Sequence, residues 1–201
     1  SLVKNYTKNE TGHVNVTTTG YRARERFMPL PEAIPDSEKV IEAIMTSPEL
    51  GKSVRMAAPR INFGVVLSSG ANSKTALAIA GDPETERKLL MLDRSISDGR
   101  YLSKPGDAIL GKKLAETLGL GVGDILKVVT QKADYGLGMK RFTISGLFST
   151  GVNDMDESVF MVGIDDARAL LGLPGGATHI LVMLDDYRKS REATVAIAAA
   201  L

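Results

Sequence analysis

Asp107-Ala-Ile-Leu-Gly-Lys-Lys-Leu-Ala-Glu-Thr-Leu-Gly-Leu-Gly-Val-Gly-Asp124 opens the stretch, running on to Leu173, whose reading decides the fold. Asp107 to Gly111 is a brief apolar run, and Lys112 to Leu118 places Leu114, Ala115 and Leu118 at helical spacing. Gly119 then predicts a left-handed cap that stops the helix. The pair Gly123-Asp124 turns the chain into Ile125 to Val129, a β-branched and apolar strand. Phe142 to Phe148 alternates and reads as its neighbour, and Val159 to Val162 as a third strand. Asp165 or Asp166 is expected to cap a short helix through Leu171, with Ala167, Leu170 and Leu171 facing inward and Gly172 ending it. Short strands alternate with short helices here, and no catalytic group interrupts them.

Outward from this stretch the same punctuation continues. Residues 1 to 11 are polar and read as frayed. Gly12 to Thr18 alternates and sets Val14 and Val16 on one strand face. Tyr21 to Pro35, with its prolines and mixed charges, reads as an ordered loop. Pro35-Asp36-Ser37 starts a helix whose apolar stripe is Val40, Ile41, Ile44 and Met45, and Pro48 closes it. Ser53 to Ala57 is extended, and Pro59 biases Ala58 the same way. Strand, loop, helix and strand in that order make a βαβ unit with a right-handed crossover. Ile61 to Leu67 and Thr75 to Ala80 are strands about a turn at Gly70, and Asp82 caps a helix with Pro83 at its first position. Thr178 to Leu184 is a strand, followed by a helix capped at Asp185 or Asp186 and running to Leu201, half of a second βαβ unit.

The totals exclude several classes. The chain has 201 residues, 43% hydrophobic and 24% charged, which is ordinary globular composition. A formal charge of +1 gives no electrostatic ground for nucleic acid as a partner. Without cysteine there is no disulfide, thiolate chemistry or sulfur-ligated metal. No run approaches the roughly 18 to 20 apolar residues that cross a bilayer. Ser1-Leu-Val-Lys4 lacks the features of a signal peptide and is expected to be a cut end of a larger protein.

The runs AILGKKLAETLGLGVGD, RFTISGLFSTGVNDMD and VFMVGIDDARALLGL, with GHVNVTTTGY, AAPRINF and IAGDPETE upstream, resemble the extracytoplasmic domain of ABC permeases of the lipoprotein-releasing and macrolide-exporter, MacB/FtsX-like, type. The resemblance covers about Gly12 to Asp186. It implies an α+β fold, a βαβ-type porter subdomain at 1–60 and 177–201 with an inserted β-rich sabre subdomain at 61–176. It implies a domain on the extracytoplasmic (periplasmic or extracellular) side of the cell membrane, between two membrane helices. An ABC ATPase, a second permease copy or paralogue and a periplasmic partner protein are its implied partners. In the family a further strand follows the last helix, and this chain stops before it, so an open sheet edge is expected. Lipoprotein releasers carry a long proline-containing hairpin that catches a soluble carrier; Gln131 to Arg141 stands in its place, shorter and without proline. Gln131, Lys132, Asp134, Tyr135, Met139, Lys140 and Arg141 are the candidate partner contacts.

Other patterns fail on context. Gly51-Lys52-Ser53 lacks the earlier glycine and the following helix of a phosphate loop. Gly119, Gly121 and Gly123 follow a helix and precede a strand, the reverse of a dinucleotide fingerprint. Asn153 to Glu157 lacks the glycine of a calcium loop and reads as a solvated turn. His13 and His179, on the two strands assigned to the porter, are half-buried strand residues or spatial neighbours. Asn5, Asn9 and Asn15 begin glycosylation triplets explained by a Thr-rich tail. Arg22, Arg24 and Arg26 form a solvated loop face or touch anionic headgroups. No serine elbow or activated histidine nominates a catalytic centre, and no residue suggests a cofactor or metal. The resemblance implies a non-enzymatic domain that transmits ATP-driven conformational change to export or release a substrate, a lipoprotein, lipid, peptide or drug; the competing reading is a stand-alone extracytoplasmic binding module that takes a lipid, peptide or partner protein in a deep apolar groove.

Overall fold

The computed structural model describes residues 2–5, 13–70, 72–186 and 190–200. The chain divides into two compact units: unit 1 is Ser1–Arg60 with Pro174–Leu201, and unit 2 is Ile61–Leu173. Helix and strand mix in both, an α+β fold.

Unit 1 is built on β1 (Leu2–Asn5), β2 (His13–Thr18), β10 (His179–Leu184) and the first part of β3 (Val54–Ser69), in the order β1-β2-β10-β3. All neighbouring pairs are antiparallel, with Ile180 opposite both Val16 and Pro59. The expected βαβ unit is thus split. β2 and β3 run parallel with β10 between them, because a central, almost wholly buried strand from the far end of the sequence fills the gap. Leu2 to Asn5, read as frayed, is a strand paired with β2.

Helix α2 (Ser37–Thr46) starts where the Asp36 carboxylate accepts from the Lys39 amide at 3.2 Å. Val40 and Ile44 are buried and Met45 is exposed, so the inward stripe is narrower than expected. The segment Tyr21 to Pro35 is more regular than a loop. Thr18 caps α1 (Thr19–Ala23) through the Tyr21 amide, and 3-10 turns follow at Glu25–Phe27 and Leu30–Glu32. Helix α7 (Ser190–Ala200) buries Ala193 and Ile197 and packs on β1, β2 and α2. The start signal expected at Asp185 or Asp186 precedes residues 187–189, which lie outside the described residues.

Unit 2 comprises the remainder of β3, β4 (Asn72–Gly81), α3 (Pro83–Leu90), β5 (Ile96–Gly99), β6 (Asp107–Gly111), α4 (Lys112–Leu118), β7 (Ile125–Gln131), β8 (Leu137–Phe148), α5 (Asn153–Ser158), β9 (Val159–Gly163) and α6 (Ile164–Leu171). β9 runs parallel to β4 and antiparallel to β6; β8 takes β6 in parallel and β5 and β7 antiparallel. Ile79, Leu92, Tyr101, Leu102, Ile109, Phe148, Val159 and Met161 form one cluster of the core. Phe142 meets Phe160 edge to face, centroids 6.4 Å apart.

Gly119 and Gly172 take left-handed conformations at φ 67° and 65°, ending α4 and α6 as the sequence predicts. Asp82 caps α3 by accepting from the Thr85 amide at 2.8 Å. Helix α6 departs from expectation, since Gly163 is its N-cap and Asp165 and Asp166 sit in its first turn. There they complement the helix dipole. Residues read as a solvated turn are helical in α5, and Asp156 within it is buried.

Two buried carboxylates brace unit 2. Asp107 accepts from the Arg100 guanidinium at 2.6 Å and from the Ser103 and Lys104 amides, both at 3.1 Å. Asp156 accepts from the Thr150 amide and hydroxyl, both at 2.8 Å, and from the Gly151 amide at 3.1 Å. Gly111 packs flat on this corner, where a Cβ would lie 2.2 Å from the Asp156 carbonyl oxygen.

Candidate partner-docking face

The residues that the resemblance sets in the position of a carrier-catching hairpin belong to an unbroken ladder with a tight turn. β7 and β8 pair from Ile125 with Thr143 to Gln131 with Leu137. The turn closes with the Lys132 amide donating to the Gly136 carbonyl at 2.8 Å and the Tyr135 amide to the Lys132 carbonyl at 3.0 Å. Tyr135 adopts φ 67°, a conformation that L side chains rarely take. Asp134 receives the Gly136 amide, which with the nearby Lys132 ammonium holds its carboxyl below the usual carboxylate range. The Ala133 amide donates to the Leu171 carbonyl at 3.0 Å, tying the tip to the end of α6.

Successive strand residues point to opposite faces. Leu126, Val128, Phe142 and Ile144 turn into the core, so Ile125, Lys127, Val129, Met139 and Arg141 form the outer face. β3 extends it, with Val66 opposite Val129 and Ser68 opposite Lys127. Val66, Val129 and Met139 therefore make one apolar cross-strand row, and Met139 is 70% exposed. Leu137, one row nearer the turn, and Tyr135 at the tip add exposed apolar surface beside it, while Ile125 stands beyond the Lys127–Arg141 row. A contiguous patch is more informative than scattered apolar residues.

Beside this row, Lys127 stands directly opposite Arg141. Like charges so placed destabilise a sheet. Among the described residues neither cation has an ion pair. The face thus combines an apolar row with a strained cationic pair, a surface complementary to an apolar ridge flanked by carboxylates.

The structure distributes the sequence-nominated contacts unevenly. Gln131, Met139 and Arg141 are exposed on the strands and Tyr135 is exposed at the tip. Lys132 and Asp134 pair with each other within the turn. Lys140 turns to the other face, where its ammonium meets Asp166 at 2.5 Å and lies over the Phe142 ring. Sequence reasoning missed Val66, Lys127 and Val129, whose membership depends on register between strands distant in sequence. The signal available for Lys127 is its alternation with Leu126 and Val128.

Other candidates carry less chemistry. In unit 2, a cleft of about 440 Å³ is lined by Pro83, Leu102, Pro105 and Ile164 with carboxylates at its rim. Those carboxylates are engaged: Asp82 caps α3, Glu84 pairs with Arg87, Asp165 with Arg168, and Asp166 holds Lys140 and the Gly106 amide. His13 lies opposite Met183 and His179 at the other end of β10, so the histidines are not neighbours. His179 is buried, edge-on to Tyr21, with Nδ1 2.7 Å from the Thr178 hydroxyl and Nε2 3.5 Å from Glu25. Arg22 pairs with Glu25, Arg24 with Glu32, and Arg26 stacks on the exposed Phe27. Among the described residues no group of three or more His, Asp or Glu could hold a metal ion, and no helix is long and apolar enough to cross a membrane.

Comparisons with known proteins agree with this architecture. The sequence model of the family described as MacB-like periplasmic core domain matches residues 1–200. The lipoprotein-releasing system transmembrane protein LolC of Xylella fastidiosa is 32% identical over 159 residues, covering 75% of this chain and 37% of that protein. LolC of Neisseria meningitidis serogroup B is 29% identical over 196 residues, 94% of this chain and 42% of that protein. The chain thus spans less than half the length of these relatives. Among solved structures, the periplasmic region of MacB from Actinobacillus actinomycetemcomitans aligns with a TM-score of 0.60 at 12% identity, covering 94% of this chain and 82% of that one. The extracellular domain of the noncanonic ABC-type transporter YknZ from Gram-positive bacteria aligns at 0.59 and 14% identity, covering 80% and 78%. At such identities the structures support the shared fold.

Proposed function

The chain belongs to the MacB-like periplasmic core domain family, and on that premise we propose that it transmits ATP-driven conformational change to the release of a substrate outside the cytoplasm. It is the extracytoplasmic domain of a LolC/MacB-type ABC permease. An ABC ATPase acting through membrane segments of the whole permease supplies the motion, and a second permease copy or paralogue completes the assembly. The relatives named for lipoprotein release make a lipid-modified protein the favoured substrate class. Unit 1 is assigned the porter role and unit 2 the sabre role.

The observation that carries the finer reading is the outer face of β3, β7 and β8. A domain that hands a substrate to a soluble partner needs a surface for that partner, and an apolar row beside an uncompensated cationic pair supplies one. The short turn at Lys132–Gly136 favours docking on the sheet face over insertion of a long tip.

The test uses the full-length permease with its ATPase in proteoliposomes. Replacing Lys127 and Arg141 by Glu is expected to leave ATP hydrolysis near its starting rate and lower substrate release into the soluble phase at least about tenfold, the scale of losing close interfacial charge pairs. Unchanged release would overturn the docking reading; loss of hydrolysis in step with release would overturn the division of labour.

A further inference from the structure

The structure assigns Met139 as an oxidant-sensitive control point of the docking face, an inference that rests on the docking reading above. The chain has no cysteine and 8 methionines, so its sulfur chemistry is thioether chemistry alone. These methionines differ sharply in access: Met161 is fully buried, Met45 and Met91 are 41% and 47% exposed, and Met139 is 70% exposed. Met139 also completes the row begun by Val66 and Val129, where its thioether is the apolar surface offered to a partner. Among the described residues, no other exposed methionine lies on this face.

The oxidant is a peroxide. A lone pair on Sδ attacks one peroxide oxygen, the O–O bond breaks, an S–O bond forms, and water leaves after proton transfer. Sulfur loses two electrons and the peroxide gains them. The product, methionine sulfoxide, is polar and a strong hydrogen-bond acceptor, so it interrupts the apolar row while the backbone ladder stays intact. The neighbouring cations Lys127 and Arg141 are untouched, so charge attraction persists while apolar complementarity is lost.

The experiment treats the whole chain with hydrogen peroxide and follows each methionine by peptide mass spectrometry. It measures in parallel the affinity for anilinonaphthalene sulfonate, an anionic apolar dye matching the chemistry of the face. Met139 is expected to oxidise first and Met161 last, with dye affinity falling roughly three- to tenfold as Met139 is consumed. Met139→Leu should keep the affinity and lose its peroxide sensitivity, and Met139→Gln should mimic the oxidised protein without peroxide. Oxidation of Met139 no faster than Met161, or an equal peroxide response in Met139→Leu, overturns the inference. Dye affinity unaffected by Glu at both 127 and 141 overturns instead the docking reading on which it rests.

Discussion

In unit 1 the buried His179 is held neutral, whereas in unit 2 the buried Asp107 and Asp156 are held charged, and the reasons are opposite balances of the same forces. Burial pushes the His179 imidazole below its ordinary value of 6.5, and the Glu25 carboxylate at 3.5 Å only partly pulls it back. Burial also pushes both aspartates up, but there hydrogen bonding wins. Arg100 and the Ser103 and Lys104 amides hold Asp107 below the ordinary carboxylate range, and the Thr150 and Gly151 donors do the same for Asp156. A buried charge survives where several donors converge on it. The difference teaches that unit 2 uses ionised groups as internal braces, while unit 1 tolerates the buried His179 as an uncharged packing element.

The largest expected effect breaks a brace. Asp107→Ala leaves two backbone amides and a half-exposed guanidinium without their acceptor, and it should cost about 3 kcal/mol in urea unfolding. Asp107→Asn should cost less, because its carbonyl oxygen still accepts. An Ala variant as stable as the parent would show that Asp107 merely fills space.

Acid titration separates the two units. A group whose folded pKa is depressed contributes stability above its unfolded pKa, and that stability is lost as pH falls through the folded value. For Asp107 and Asp156 the loss begins below about 4, so unit 2 should weaken in strong acid. Asp156→Asn should lower stability at pH 7 by about 1 to 2 kcal/mol and flatten the acid limb. For His179 the loss begins at 6.5, so unit 1 should weaken first as pH falls from 7 to 5. His179→Gln should remove that slope, whatever it does to the stability at pH 7. Amide exchange resolved along the chain reads both, and a steeper loss in unit 2 than in unit 1 over that range would invert the comparison.

What the sequence made legible follows the range of the interactions involved. The caps at Asp36, Asp82, Gly119 and Gly172 were readable because each depends on a few consecutive residues. The strands within Asp107–Leu173 were readable from short apolar and β-branched runs and, at Phe142–Phe148, from alternation, although β8 extends back to Leu137 because its pairing with β7 continues to the turn. The place of β10 between β2 and β3 was not readable, since only the pairing of distant strands defines it. Asp156 looked like a solvated residue because its donors lie in the preceding corner, at Thr150 and Gly151, and only the chain's turn brings them inward. Of the proposed docking face, Tyr135, Met139 and Arg141 came from the hairpin position that the resemblance implies. Val66 joined through the register of β3 against β7.

The smallest expected effect is the sharpest on the contrast between braced interior and poised surface. Lys127→Glu turns a like-charge cross-strand pair into an attractive one opposite Arg141, and it should raise stability by about 0.2 to 1 kcal/mol in low salt. The gain should shrink as added salt screens the pair. The same change should weaken binding of anilinonaphthalene sulfonate, because the new carboxylate repels the dye and occupies Arg141. A substitution that improves the fold while impairing binding marks a residue retained for contact and not for structure. If Lys127→Glu destabilises the chain, the cationic pair is already compensated in the folded protein and offers no free charge to a partner.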